Sequence, residues 1–139
     1  MVVIREKVLR PKGVTGLVDK DGAGNVRAVS GSDAPLAVTQ TEPGFTPLEL
    51  LDAALAGCLA ISIRHAAKQH GWLDRLGDVS VTILHEKATD LPSHITGFDA
   101  SYEITGDFSP DERATLIEAA HNLCTVGNTL TNGARISDV

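Results

Sequence analysis

Apolar and polar residues change period several times along the chain, and each change marks a predicted element. Val79, Val81 and Ile83 alternate with Ser80 and Thr82, which is the period of a strand with one buried face. Phe98, Ala100, Tyr102 and Ile104 repeat the alternation beyond a polar loop, Lys87 to His94. The pair predicts an antiparallel hairpin. The first forty residues read as short strands, Val2 to Leu9, Val14 to Val18, Asn25 to Ser30 and Leu36 to Thr39, with a turn signal at Asp21-Gly22. Glu42-Pro43-Gly44 breaks that pattern, and Thr46-Pro47-Leu48-Glu49 opens a helix: Thr46 caps, Pro47 suits the first helical position and Glu49 completes a capping box. Nothing stops this helix before Gly71, so it is predicted to run about 24 residues, roughly 36 Å. Ser109-Pro110-Asp111-Glu112 opens a second helix by the same logic, with Leu116, Ile117, Ala120 and Leu123 on one face and an end near Cys124. Gly133 to Val139 reads as a final strand. The predicted class is α+β, in the order βββ(β)-α-ββ-α-β, as one domain over 1–139.

The first helix poses a burial problem. From Leu48 to Ile63 its only charges are Glu49 and Asp52, and a helix apolar nearly all round must be covered all round. One layer of strands from 139 residues cannot do that, so a second subunit is expected to supply part of the cover. Composition adds little beyond this: 42% apolar and 22% charged residues are ordinary for a globular domain. The net charge of −6, with no Lys/Arg cluster, argues against a nucleic-acid partner. The N-terminus becomes charged too early for a signal peptide, and the stretch Leu50 to Ile63 is too short to span a bilayer, so a cytoplasmic location is the expectation. In that compartment thiols stay reduced, so the two cysteines are either chemical or merely buried.

Cys58 sits among Ala53-Ala54-Leu55-Ala56-Gly57 and Leu59-Ala60, deep in the apolar helix. One reading makes it a small buried hydrophobe. The other makes it reactive, which requires a positive partner from elsewhere in the fold to lower its pKa. Cys124 ends the second helix, where the negative end of the dipole disfavours a thiolate. That position suits a resolving thiol, or a capping-turn cysteine with no role. His121-x-x-Cys124 could begin a zinc site, but no second close pair of ligands follows, and no metal or other cofactor is expected.

The run Pro-x-Glu-Leu-Leu-x-Ala-Ala-Leu-Ala-Gly-Cys (Pro47 to Cys58), the later Ala-His-x-x-Cys turn ending at Cys124 and the Thr-Leu-x-Asn-Gly tail through Gly133 resemble the OsmC/Ohr family, the osmotically inducible and organic hydroperoxide resistance proteins. The resemblance implies an intertwined homodimer in which sheets from both subunits wrap two central helices. It also implies a thiol peroxidase. Cys58 attacks the hydroperoxide and becomes a sulfenic acid, Cys124 condenses with it to a disulfide, and an external dithiol reduces that bond. Organic hydroperoxides are the implied substrates, approaching past Leu55, Leu59 and Ile61, with His65 either lining the pocket or an unrelated core or surface histidine.

In the family a Glu near the start of the cysteine helix and an Arg from the N-terminal strands organise the thiolate. Glu49 is the candidate for the first role. It lies across the helix from Cys58 and roughly 13 Å up its axis, so it serves either the partner subunit's site or only the capping box. The hydroperoxide-resistance branch carries its Glu one residue earlier, where this chain has Leu48, which points to the broader OsmC-like branch. Arg27 is the first candidate for the cation, against the alternative of a solvated strand-edge arginine; Lys20, Arg64 or Arg5 would otherwise substitute. Thr125, where the family has a Pro, and these displaced helpers keep two other readings open: a non-enzymatic dimer holding an apolar ligand, and a redox sensor.

Overall fold

The structure is a computed structural model and describes residues 9–139. Among them are three α-helices and two antiparallel sheets, an α+β arrangement. The expected strand Val2 to Leu9 and the candidate Arg5 lie, but for Leu9, outside the described residues. Where the sequence reading has one domain over 1–139, the chain divides into two compact units, the first ending at Leu50 and the second running Leu51–Val139.

The first unit carries strands β1 (Val14–Val18), β2 (Gly24–Ala28) and β3 (Asp33–Leu36) in the order β1-β2-β3. β1 and β2 form a hairpin that pairs Val14 with Ala28 and Val18 with Gly24. Asp19 closes its turn by accepting the Asp21 and Ala23 N–H groups, both at 2.9 Å. β3 sits three residues earlier than expected, because its pairing with β2 starts at Asp33 against Arg27. Helix α1 (Pro47–Gln69) begins here with the expected capping box. The Thr46 N–H donates to Glu49 Oε1 at 2.9 Å and the Glu49 N–H to Thr46 Oγ1 at 3.2 Å.

In the second unit, β4 (Leu76–Lys87) and β5 (Ile95–Gly106) form the expected hairpin, with Val81 opposite Tyr102 and Ile83 opposite Ala100. Helix α2 (Pro110–Leu123) starts on a complete Ser109/Glu112 capping box. The core joins Leu55, Leu59, Ile63, Ala66 and Ala67 of α1 to Ile83, Ile104, Phe108, Leu116, Ala120 and Cys124. Arg75 ties the start of β4 to α2 through Glu112, 2.9 Å away. Gly71, at φ +73°, follows the end of α1 in the left-handed conformation that glycine adopts without strain.

One expectation fails at the end of this unit. No strand forms over 133–139; the residues before it instead make a third helix, α3 (Thr125–Asn132), closed by Gly133. A strand needs a neighbour to take its backbone groups, and 133–139 pairs with none among the described residues. By length and mean hydropathy (1.4) alone, α1 as a whole is long and apolar enough to cross a membrane. One face of it is buried in the core described above. Ala53, Ala54, Gly57 and Ile61 lie exposed.

Candidate active site around Cys58 and Cys124

α1 presents Cys58, and the α2–α3 junction presents Cys124. The two thiols act on each other's ionisation. Cys58 is partly exposed and Cys124 fully buried. Cys58 opens on a cavity of about 660 Å³ lined by Ala53, Ala54, Gly57, Ile61, Leu123 and the polar Ser62, His65 and Thr125.

Burial pushes the Cys58 thiol up, while the nearby Cys124 thiol, the Val126 and Thr125 N–H groups and the Ser62 hydroxyl pull it down, with a net result below the ordinary thiol value. Two of these belong to the first turn of α3, whose N-terminal N–H groups have no partner within the helix and favour negative charge. Ser62 stands one helical turn after Cys58, itself buried. For Cys124 the balance runs the other way. Burial and the hydrogen bond to Cys58 push it up, against the Gly127 N–H that donates to its sulfur at 3.2 Å. The two thiols are therefore shifted in opposite directions, Cys58 toward the anion and Cys124 toward the protonated form.

The expected helpers are engaged in the first unit. Arg27 pairs with Asp33 at 3.1 Å on the β2–β3 sheet. Glu49 completes the α1 capping box, and Lys20 pairs with Asp21 at 3.4 Å. Arg64 lines a separate small cavity with Ile61, His65, Lys68 and Leu73. The sequence reading asked for a cation beside Cys58; the groups that lower its pKa are neutral. The Thr125 and Val126 amides were missed because helix α3 itself was not expected, and Ser62 because no local motif marks it. The available signal was the i, i+4 spacing of Cys58 and Ser62.

Of the expected pocket residues, Ile61 and His65 line the Cys58 cavity. Leu55 and Leu59 do not. They are core residues that line a second cavity of about 360 Å³ with Phe98, His121, Gly127 and Leu130. The buried face of α1 turns them away from the cleft. His121 shares a 3.0 Å hydrogen bond with the Tyr102 hydroxyl. Among the described residues no group of three His, Cys, Asp or Glu side chains is placed to hold a metal ion.

This geometry can be compared with known proteins. The chain is similar to an OsmC-like protein from Mycoplasma pneumoniae at 17% identity and TM-score 0.76, over 91% of this chain and 89% of that one. An organic hydroperoxide resistance protein OsmC from Legionella pneumophila gives 24% identity and TM-score 0.67, over 89% and 91%. The organic hydroperoxide resistance protein OhrB of Bacillus subtilis gives 20% and 0.66, over 84% and 87%. At these identities the likeness is one of fold. Among curated proteins none matches the chain. The model of the OsmC-like protein family matches residues 39–137, which include both cysteines and every element from α1 onward. The chain belongs to the OsmC-like protein family.

Proposed function

We propose that the protein is a cytoplasmic thiol peroxidase that reduces organic hydroperoxides. The Cys58 thiolate attacks the terminal peroxide oxygen. The O–O bond breaks, the alkoxide takes a proton and leaves as an alcohol, and the sulfur becomes a sulfenic acid. The Cys124 thiol then displaces hydroxide from that sulfur, forming the disulfide and releasing water. An external dithiol reduces the disulfide and is itself oxidised. The observation that carries this reading is the thiol pair: a partly exposed sulfur whose pKa is lowered, beside a buried sulfur whose pKa is raised. The apolar lining of the Cys58 cavity supports an organic substrate, and two of the similar structures are organic hydroperoxide resistance proteins.

In this reading the working form is a homodimer. The exposed Ala53, Ala54, Gly57 and Ile61 on α1 are small or apolar and would admit close approach of a second copy. Arg27 and Glu49 enter as helpers from the family resemblance alone. The reaction is tested by following consumption of cumene hydroperoxide with dithiothreitol as reductant. Cys58→Ser protein is expected to lose turnover, and Cys124→Ser to perform one turnover and accumulate sulfenic acid. Unchanged consumption in Cys58→Ser protein sinks the reading. A non-enzymatic dimer holding an apolar molecule draws on the same 660 Å³ cavity. It would show an unreactive Cys58 at neutral pH and no peroxide-dependent disulfide. A redox sensor would form the disulfide but turn over poorly with dithiol.

A further inference from the structure

Helix α3 is built on weak local support. Its eight residues, Thr-Val-Gly-Asn-Thr-Leu-Thr-Asn, include β-branched residues, asparagines and a glycine, all poor helix formers. A helix this short does not hold by itself in water. It buries no residue and has no acidic side chain in its first turn. What fixes its start is Cys124, whose sulfur accepts the Gly127 N–H at 3.2 Å and whose carbonyl accepts the Asn128 N–H at 2.9 Å. The Thr125 and Val126 N–H groups stand near enough to the Cys58 sulfur to lower its pKa. The Cys124 sulfur thus takes one of the N-terminal amides that a helix cannot satisfy internally.

We infer that joining Cys58 to Cys124 uncaps α3 and releases its first turn, so that the helix follows the redox state of the pair. The inference rests on the peroxidase reading for its physiological oxidant. In the disulfide the sulfurs stand about 2.05 Å apart, so the Cys124 sulfur swings from Gly127 toward Cys58.

Release has a chemical use. When a dithiol reduces the bond, its thiolate attacks one sulfur and expels the other, and the lower-pKa thiol leaves faster. Attack at Cys124, with Cys58 leaving as thiolate, is therefore the faster route. A mixed disulfide forms at Cys124, and the reductant's second thiol then closes its own disulfide and frees Cys124. Yet Cys124 is fully buried in the reduced protein. Loosening α3 uncovers it when access is needed.

The test is amide hydrogen exchange by NMR on the full chain, reduced and after oxidation with diamide, with thiols counted by mass. Oxidation is expected to speed exchange at Gly127 about fivefold, the scale of a lost N-cap, while Leu116 to Ala120 in α2 stay unchanged. Cys124→Ser keeps a capping oxygen and cannot form the disulfide, so diamide should leave its Gly127 exchange untouched. Unaltered or slower Gly127 exchange in protein shown to carry the disulfide overturns the inference, as does failure of diamide to join the two sulfurs. If diamide releases α3 but cumene hydroperoxide never oxidises the pair, the inference stands and the peroxidase reading falls.

Discussion

Negative charge on the Cys58 sulfur would face a largely apolar cavity, and the groups that lower its pKa there are neutral. Ser62 is the donor that substitution can remove without disturbing the backbone. Ser62→Ala should raise the Cys58 pKa and lower its thiolate fraction at neutral pH about fivefold, roughly the effect of one hydrogen bond to a partly solvated anion. The rate of iodoacetamide alkylation against pH measures it; an unmoved midpoint would remove Ser62 from the site. The sign follows from the shift. With the folded pKa below the ordinary thiol value, alkylation of the native protein should rise at lower pH than that of the unfolded chain. At this scale the sequence is half legible. Both cysteines stand out by their surroundings, and the apolar helix around Cys58 calls for a cation as compensating group, whereas the groups that lower its pKa are neutral. The identity of that group is hidden, since backbone amides carry no residue signature and arrive from a distant segment.

Elements were legible where the sequence carries a local start signal. Thr46/Glu49 and Ser109/Glu112 both form complete capping boxes, so α1 and α2 begin where their side chains say they should. Helix α3 has no such signal, because its cap is a cysteine and its residues favour other conformations. The expected last strand fails for a related reason: alternation describes a face, not a partner. Thr46→Ala should cost about 1 kcal/mol of stability by urea unfolding, the usual worth of a Thr cap. Glu112 gives a pH test at the same scale. Its bonds to Arg75 and to the Ser109 N–H hold its pKa down from the ordinary 4.5 to about 2. A depressed carboxyl stabilises the fold above its unfolded pKa and loses that contribution as pH falls through the folded one. Stability should therefore drop between about pH 4.5 and pH 2. In Glu112→Gln protein this part of the decline should vanish from urea midpoints measured across the window.

At the scale of the whole molecule, the apolar character of α1 predicted that one chain could not cover it. The structure leaves Ile61 69% exposed beside Ala53, Ala54 and Gly57. If that face joins two copies, Ile61→Asp should shift the mass by light scattering from dimer to monomer; a wild-type monomer at micromolar concentration would dispose of the idea. The three-stranded sheet of the first unit raises the same issue more sharply. All five residues of β1 are exposed, among them Val14 at 70%, Leu17 at 59% and Val18 at 56%. A ribbon this small, with its aliphatic side chains wetted, is a poor independent folder. Whatever dries it lends it stability by mass action. If that cover is another copy of the same polypeptide, thermal resistance becomes a property of the solution as much as of the sequence: the melting point should climb with each tenfold rise in concentration, and dilution alone should begin to unravel the sheet.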